Sequence, residues 1–234
     1  MALSGSDRFE VLVVDDDSPD GTGDVVRELK EIYPNLSLLT RTENKGLVPA
    51  ICAGVKAAKH DICLWMDADM SMPPSFIPQL IEAVEKGADL AFGSRYIPGG
   101  GIKGCEPARR DKTPLLQVWR NVRDSEDSFI SIMISKVGNN LMRVLLDPAL
   151  HDYTSGFFAA RRALLDDVGI RGIFVDYCII LSYKALKKGY NVVELPLVVC
   201  PRKYGSSKTS NTLFSVMKVS LQCIIAALRL RMKG

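Results

Sequence analysis

The sequence is poor in the residues from which many catalytic and metal sites are built. Only two histidines occur among 234 residues, His60 and His151, so histidine-based catalysis has little material. The six cysteines are scattered and form no C-x-x-C pair, which argues against a zinc site and fits a reduced, cytosolic protein. The opening MALSGSDRFE has no apolar segment typical of a signal peptide. No stretch reaches the roughly 20 apolar residues of a membrane span.

The net charge and the composition exclude few other classes of protein. The net charge of +3 is too small to indicate nucleic acid, and no nucleic-acid partner is expected. Apolar residues make up 47% and charged residues 24% of the chain, which is typical of a globular protein large enough for a real core. Positive charge is concentrated towards the C-terminus.

Short apolar runs alternate with segments of helical period in the first hundred residues. The predicted strands are 9–14, 36–40, 61–66 and 88–94, and the helices between them are 24–33, 48–59 and 75–87. This alternation predicts an α/β fold with a mostly parallel sheet and helices on both faces. Ligands of such sheets bind beyond the carboxyl ends of the strands.

The later part of the chain is less regular. Residues 97–127 are predicted to form a long loop, followed by a helix near 128–147, a strand running into a helix within 154–165, a helix at 176–189 and a strand at 191–199. The tail from 211 is apolar but carries Lys218, Arg229, Arg231 and Lys233. It is predicted to be a basic amphipathic helix for a membrane surface or a partner helix; the alternative is a helix packed on the core.

Paired acids follow two of the predicted strands, in VVDDDSPDGT and in MDADMS. Neighbouring carboxylates repel one another, so such pairs indicate a cation. In one interpretation Asp67 and Asp69 hold Mg²⁺ or Mn²⁺ beside substrate phosphates. In a second, Asp67 is the phosphoacceptor of a signalling receiver, although receivers are about half this length. In a third, DADMS is the nucleophile motif of a haloacid-dehalogenase-type phosphatase, although that motif is expected on the first strand.

Six motifs together resemble one family in the right order over about residues 9–209. They are VVDDDSPDGT, NKGLVPAICAGVKAA, MDADMSMPP, GSRY, DYTSGF and PRKYGSSK. The family is that of the inverting nucleotide-sugar glycosyltransferases, family 2, and the dolichol-phosphate mannose synthase group is the most similar part of it. The resemblance implies a Rossmann-like catalytic domain of GT-A type over 1–209, followed by a basic amphipathic helix over 210–234.

The resemblance also implies a role for each matching residue. On the donor side, Asp15, Asp16 and Asp20 would contact the nucleotide sugar, and Asp67 and Asp69 would bind it through Mg²⁺ or Mn²⁺. Basic residues would surround the donor and acceptor phosphates; they are Arg95, Arg202 and Lys208. The acceptor side would be lined by Asp152, Thr154, Ser155 and Gly156. The catalytic residues would be Asp69, Arg95 and Arg202.

The implied reaction is the transfer of a hexose, with mannose expected, to a polyprenyl phosphate with inversion. The donor would be a nucleotide sugar such as GDP-mannose or UDP-glucose, and the enzyme would lie peripherally on the cytosolic face of a membrane, reached through the C-terminal helix or a membrane subunit. A lipid phosphate has a second pKa near ~6 and needs no general base at neutral pH, which fits the lack of histidines. Another sugar or acceptor, or a degenerate subunit that only binds nucleotide, stays open.

The chain departs from the family pattern at its start and at Phe158. The family normally begins with a further strand and a P-T-Y-N-E loop that holds the nucleotide base; neither is found here, so we expect an N-terminally shortened domain. Phe158 stands where the family motif S-G-F-R offers an arginine. Asp176 is the only acid in GIFVDYC and would either orient a sugar hydroxyl or cap a helix.

Overall fold

A computed structural model describes residues 9–101, 129–200 and 213–233 of the chain. Residues 102–128, most of the predicted long loop, fall outside this part. The strands are β1 (Val11–Asp15), β2 (Leu36–Thr40), β3 (Ile62–Trp65), β4 (Leu90–Ser94), β5 (Phe158–Arg161) and β6 (Val192–Pro196). The helices are α1 (Thr22–Ile32), α2 (Leu47–Ala57), α3 (Ile77–Glu85), α4 (Phe129–Leu145), α5 (Arg162–Val168), α6 (Asp176–Lys187) and α7 (Leu213–Lys233). The short 3₁₀ turn Pro74–Phe76 leads into α3.

The strands form a parallel pair, β1–β2, and a mixed sheet in the order β3-β5-β4-β6. Within the mixed sheet β4 and β6 are parallel, whereas β5 runs antiparallel to both of its neighbours. Among the described strands, β5 is thus the antiparallel exception in the predicted mostly parallel arrangement. The reason is the path of the chain: it leaves β4 at the carboxyl end, passes through α4 and returns to the same edge, where Asp152 binds Arg95. A strand that begins at this edge must run backwards.

Helices cover both faces of the mixed sheet, as predicted for an α/β protein. One face is covered by α4, α6 and α7, whose side chains join Phe92 and Phe158 in one core cluster. The other face is covered by α3 and contains Leu80, Val84 and Phe157. Alternate residues of β5 point into the two clusters, since successive strand side chains face opposite sides of a sheet.

Helix α1 has the predicted helical spacing of apolar residues but little burial. Only Val26 is buried among its residues, whereas Val25, Leu29 and Ile32 are exposed. The helix contacts β1 and β2, and no described element covers the remaining apolar positions.

The C-terminal helix α7 packs on the protein and also exposes apolar surface. Cys223, Ala226 and Ala227 are buried, and the helix contacts α4 and α6. Arg231 Nη1 donates to the carbonyl oxygen of Leu145 at 2.6 Å, which ties the end of α7 to the end of α4. None of the helices in the described ranges combines the length and hydropathy needed to cross a bilayer.

Candidate active site

The candidate site lies at the edge of the mixed sheet where β3, β4 and β6 end and β5 begins. Backbone hydrogen bonds hold the segments that leave these strands together. Leu197 N donates to Ser94 O at 2.9 Å, and Cys200 N donates to Ser71 O at 2.9 Å. This edge therefore brings together the loop 67–71 and Arg95, as the ends of the predicted strands indicated, and also the loop 152–156.

The loop after β3 presents the two aspartates of the D-x-D motif. Asp67 is exposed and Asp69 is half-buried. Asp69 Oδ1 accepts the N–H of Ser71 at 3.0 Å, and Met70 has a φ of 62°, so a tight turn orients this carboxylate. Burial raises the pKa of Tyr177 well above its usual range, and the negative charge of Asp67 makes a smaller contribution in the same direction.

The chemistry of these donors fits a hard divalent cation. Mg²⁺ and Mn²⁺ prefer carboxylate oxygens, and Mg²⁺ is commonly held by one or two carboxylates together with substrate phosphates and water. Among the described residues there is no group of three or more His, Cys, Asp and Glu side chains that could hold a metal by itself. A cation bound by Asp67 and Asp69 would therefore take its other ligands from a diphosphate and water.

Arg95 is the centre of a buried polar network. Its Nε and Nη2 donate to the two carboxylate oxygens of Asp152, each at 2.7 Å, and its backbone N–H donates to Asp152 at 3.0 Å. Nη2 also donates to Thr154 Oγ1 at 2.7 Å. Asn139 of α4 completes the network, since its Nδ2 donates to Thr154 Oγ1 at 2.9 Å and its Oδ1 accepts the N–H of Tyr153 at 2.7 Å.

The Arg95–Asp152 pair is largely removed from water, with 19% and 0% of the two side chains exposed. Burial alone would lower the pKa of the Arg95 guanidinium, but the Asp152 carboxylate more than offsets this, so the pKa lies above its ordinary value. Within the described residues, the hydrogen bonds of the Arg95 side chain come from Nε and Nη2, and none comes from Nη1. The family resemblance placed Asp152 and Thr154 on the acceptor side. In the structure both residues bind Arg95, the arginine that was expected to contact the phosphates.

The remaining residues of the loop 152–156 are tightly packed, and Gly156 lies against Met72, which follows the D-x-D motif in sequence. Ser155 is buried, and its Oγ accepts the N–H of Phe157 at 3.5 Å. A Cβ atom at Gly156 would lie 3.3 Å from Met72 Cε and 3.7 Å from the hydroxyl of Tyr177. The close approach at Gly156 therefore favours a residue without a side chain.

The acids after β1 order their own loops. Asp15 accepts the N–H of Ser18 at 3.2 Å, and Asp20 accepts the N–H and the hydroxyl of Thr22 at 3.0 and 2.7 Å, at the start of α1. Asp16 accepts from Arg41 Nη1 and from the N–H of Gly46, both at 2.6 Å. The two hydrogen bonds from Thr22 lower the pKa of Asp20. Asp16 thus connects the loop after β1, where the nucleoside was predicted to bind, with the loop after β2.

The contacts of Phe158 and Asp176 show what each side chain does. Phe158 is buried in β5 and stacks on Trp65 with ring centroids 5.3 Å apart, so it is a core residue. Asp176 is the first residue of α6 and accepts the N–H groups of Ile173 and Phe174 at 2.9 and 2.7 Å. Because both donors precede the helix, Asp176 orders the turn before α6 and does not cap the helix itself.

Sequence reasoning missed two buried polar residues, Asn139 and Glu194. The signal for Glu194 was present: an acid in the apolar strand NVVELPLVV is unusual, because carboxylates are seldom buried without partners. Asn139 had no comparable signal, since asparagine is common on helices. Arg202 and Lys208 lie outside the described residues. Cys200, which precedes them in sequence, lies beside Ser71, because its N–H donates to the carbonyl oxygen of Ser71.

Comparisons with known proteins give consistent matches. The family description "Glycosyl transferase family 2" matches residues 2–169. The polyprenol monophosphomannose synthase of Mycolicibacterium smegmatis is 35% identical over 212 residues, which are 88% of this chain and 72% of the relative. The dolichol-phosphate mannosyltransferase of Pyrococcus furiosus is 34% identical over 218 residues, which are 93% of this chain and 55% of the relative.

A solved structure shares the fold at low sequence identity. It is the glucosyl-3-phosphoglycerate synthase of Mycobacterium tuberculosis in complex with Mn²⁺, uridine diphosphate and phosphoglyceric acid. The TM-score is 0.62 at 18% identity, over 95% of this chain and 67% of that one. At this identity the similarity shows the fold alone.

Proposed function

The chain belongs to glycosyl transferase family 2, and we propose that it transfers a hexose, mannose in the first instance, from a nucleotide diphosphate sugar to a polyprenyl phosphate with inversion. The family membership and the GT-A-type fold confirm the resemblance read from the six motifs. The lipid acceptor is supported by the relatives, of which one is a polyprenol monophosphomannose synthase and one a dolichol-phosphate mannosyltransferase. The chain spans about half the length of the second relative, so the activity of the whole protein is part of the proposal.

One observation carries the proposal: the same sheet edge holds an exposed D-x-D motif and an oriented arginine. The carboxylates of Asp67 and Asp69 suit a divalent cation with a diphosphate, and the guanidinium of Arg95 suits a phosphate oxygen. Because Asp152 fixes the guanidinium through two of its nitrogens, little side-chain entropy remains to be lost when a phosphate binds.

The reaction forms one bond and breaks one. An ionised oxygen of the lipid phosphate attacks C1 of the sugar, while the bond from C1 to the diphosphate oxygen breaks and its electron pair leaves with the nucleotide diphosphate. No proton needs to be transferred, because the lipid phosphate is ionised at neutral pH. A bound Mg²⁺ or Mn²⁺ would supply stabilisation of the charge on the leaving diphosphate. The protein's part is to provide the carboxylates of Asp67 and Asp69 that would hold this cation, and to orient the two anions at Arg95.

The exposed face of α7 supports a bilayer surface as the place where the acceptor is reached. Five large apolar side chains of α7 are exposed: Met217, Leu221, Ile225, Leu228 and Met232. At 100° per residue these positions fall within an arc of about 80°, opposite the buried Cys223 and Ala226. Lys218 and Arg229 flank this arc on one side and Arg231 flanks it on the other, an arrangement that suits anionic headgroups.

Helix α4 adds to this apolar surface. Val137, Leu141 and Val144 are exposed at helical spacing on α4, which packs against α7. We propose that this surface, with the C-terminal segment 210–234 as its main part, holds the catalytic domain 1–209 on the cytosolic face of a membrane.

The transfer proposal is tested with purified protein, polyprenyl phosphate in lipid vesicles, Mg²⁺ or Mn²⁺, and labelled GDP-mannose or UDP-glucose. We expect labelled lipid with at least one donor, and loss of label when the cation is chelated. Asp67→Asn and Asp69→Asn are expected to lower kcat about 100-fold or more. The matched control is Glu82→Gln, since Glu82 is an exposed acid on α3 that forms an ion pair with Lys86. Full activity of both aspartate variants, or no transfer from either donor, would refute the proposal.

Membrane binding is tested separately by vesicle flotation. Burial of one leucine side chain is worth about 1.5–3 kcal/mol, so Leu221→Gln combined with Leu228→Gln should weaken binding to anionic vesicles more than 100-fold. Both side chains are exposed, at 58% and 44%, so the thermal midpoint should stay the same. Unchanged flotation of this variant would exclude α7 as the membrane-binding surface.

A further inference from the structure

Glu194 is a buried carboxylate that the proposed reaction does not use directly. It lies on β6, opposite Phe92 of β4, and only 8% of its side chain is exposed. Such a residue is costly to bury unless its oxygens are satisfied by hydrogen bonds. Its partners therefore indicate why a carboxylate stands in an otherwise apolar strand.

Within the described part of the chain, the side-chain hydrogen bonds of Glu194 go to His151 and to Asp152, the first residue of the loop 152–156. Oε1 accepts the N–H of His151 at 3.0 Å and the N–H of Asp152 at 2.9 Å. Oε2 lies 2.9 Å from the same His151 N–H and 2.8 Å from His151 Nδ1, which donates in the tautomer that carries its hydrogen there. The carboxylate thus fixes the backbone immediately before the Asp152 side chain.

The contact continues to the active site through Asp152. Its side chain accepts three hydrogen bonds from Arg95 and is fully buried, so its position sets the plane of the guanidinium. We propose that Glu194 is a positioning residue for sugar transfer, which acts through Asp152 to orient Arg95 towards the phosphates. This inference rests on the proposed function for its catalytic consequence, whereas its structural part can be measured without any substrate.

Glutamine is an informative replacement because it keeps the shape and changes only the acceptors. Three N–H donors converge on Glu194, two from the backbone and one from the His151 ring. An amide offers one acceptor oxygen and turns its NH₂ group towards the remaining donors. At least one hydrogen bond is therefore lost while the packing of the side chain is kept.

The first experiment measures the Arg95 side chain directly by NMR. In ¹⁵N-labelled protein, the Nε–H signal of Arg95 is assigned by its absence in Arg95→Lys. Because Nε donates to the buried Asp152, we expect slow exchange of this hydrogen with water. In Glu194→Gln the exchange should be at least tenfold faster, and in the control Glu82→Gln it should be unchanged. Equal exchange rates in Glu194→Gln and the wild type would overturn the inference, whether or not the protein transfers sugar.

The second experiment tests the catalytic consequence by a double-mutant cycle. Substitution of a supporting residue typically costs about 10–100-fold in activity, and we expect a loss of this size in kcat/KM for Glu194→Gln. If Glu194 acts through Arg95, the double variant with Arg95→Lys should be no less active than Arg95→Lys alone. Losses that multiply would instead mean a general structural role and would overturn the inference.

Two controls keep the results separable. A thermal melt of each variant identifies misfolding, and Glu194→Asp, which keeps the charge but is one methylene shorter, serves if Glu194→Gln does not fold. Glu194→Asp is expected to change the exchange rate of Arg95 and the kcat/KM in the same direction as Glu194→Gln. A wild-type protein that shows slow Arg95 exchange but transfers no sugar would refute the proposed function and not the positioning of Arg95.

Discussion

Removal of the Asp152 carboxylate should destabilise the protein strongly. Asp152 is the buried partner of Arg95 and accepts three of its hydrogen bonds at 2.7–3.0 Å. Loss of one partner of a buried ion pair typically costs about 3–5 kcal/mol, because the other charge stays buried without compensation. For Asp152→Ala we expect this decrease in the free energy of unfolding, which corresponds to a fall of about 6–20 °C in Tm for a chain of this size.

The measurement is equilibrium unfolding in urea followed by circular dichroism. Asp152→Asn should cost less, about 1–3 kcal/mol, because the amide keeps the shape and one acceptor oxygen. Glu82→Gln is the control; its ion pair with Lys86 is exposed, so the free energy of unfolding should stay unchanged. If Asp152→Ala cost no more than Glu82→Gln, the Arg95–Asp152 pair would not be the buried contact described here.

Three further predictions concern other parts of the fold. Arg162 donates to three backbone carbonyls at and after the end of α2, at 2.7–3.0 Å, so Arg162→Ala should lower the free energy of unfolding in urea by about 2 kcal/mol. A Cβ at Gly100 would lie 2.9 Å from the carbonyl carbon of Arg95, so Gly100→Ala should lower Tm, whereas Gly138→Ala in α4 has free space and should raise stability by up to about 1 kcal/mol. Burial raises the pKa of Cys223 to about 12, so at pH 8 this thiol stays protonated and should resist disulfide reagents until the protein unfolds, as mass spectrometry of labelled peptides can test.

Much of the fold could be predicted from periodicity because the elements are amphipathic in the expected way. The strands and helices up to β4 lie close to their predicted ranges. The direction of β5 could not be predicted, since its apolar run FFAA fits either orientation and only the return of the chain to Arg95 decides it. The exposure of α1 could not be predicted either, because an apolar stripe indicates that a helix face will be covered but does not identify the element that covers it.

The residue types of the site could be predicted, but their pairing could not. Asp67, Asp69 and Arg95 follow strands, and strand ends meet at one edge, so their common location follows from the order of elements. That Asp152 binds Arg95 across 57 positions of sequence has no local signal. Glu194 stands out as an acid in an apolar strand, but its partners, the N–H groups of His151 and Asp152, have no local signal. Asn139 has no signal of either kind, since its partner Tyr153 lies on another segment.

The pairing of Arg95 changes the charge balance of the proposed site. Asp152 neutralises this arginine, and Asp67 and Asp69 can at most balance one divalent cation. The donor diphosphate and the lipid phosphate would then repel each other without further positive charge. Arg202, Lys203 and Lys208, which lie outside the described residues, follow Cys200 in sequence and are basic candidates for this role. A charge-assisted hydrogen bond is worth about 1.5–3 kcal/mol, so Arg202→Gln with Lys208→Gln should raise KM for polyprenyl phosphate at least about tenfold, while Lys86→Gln at the end of α3 leaves it unchanged. An unaltered KM in the double variant would mean that the two anions are brought together by other groups.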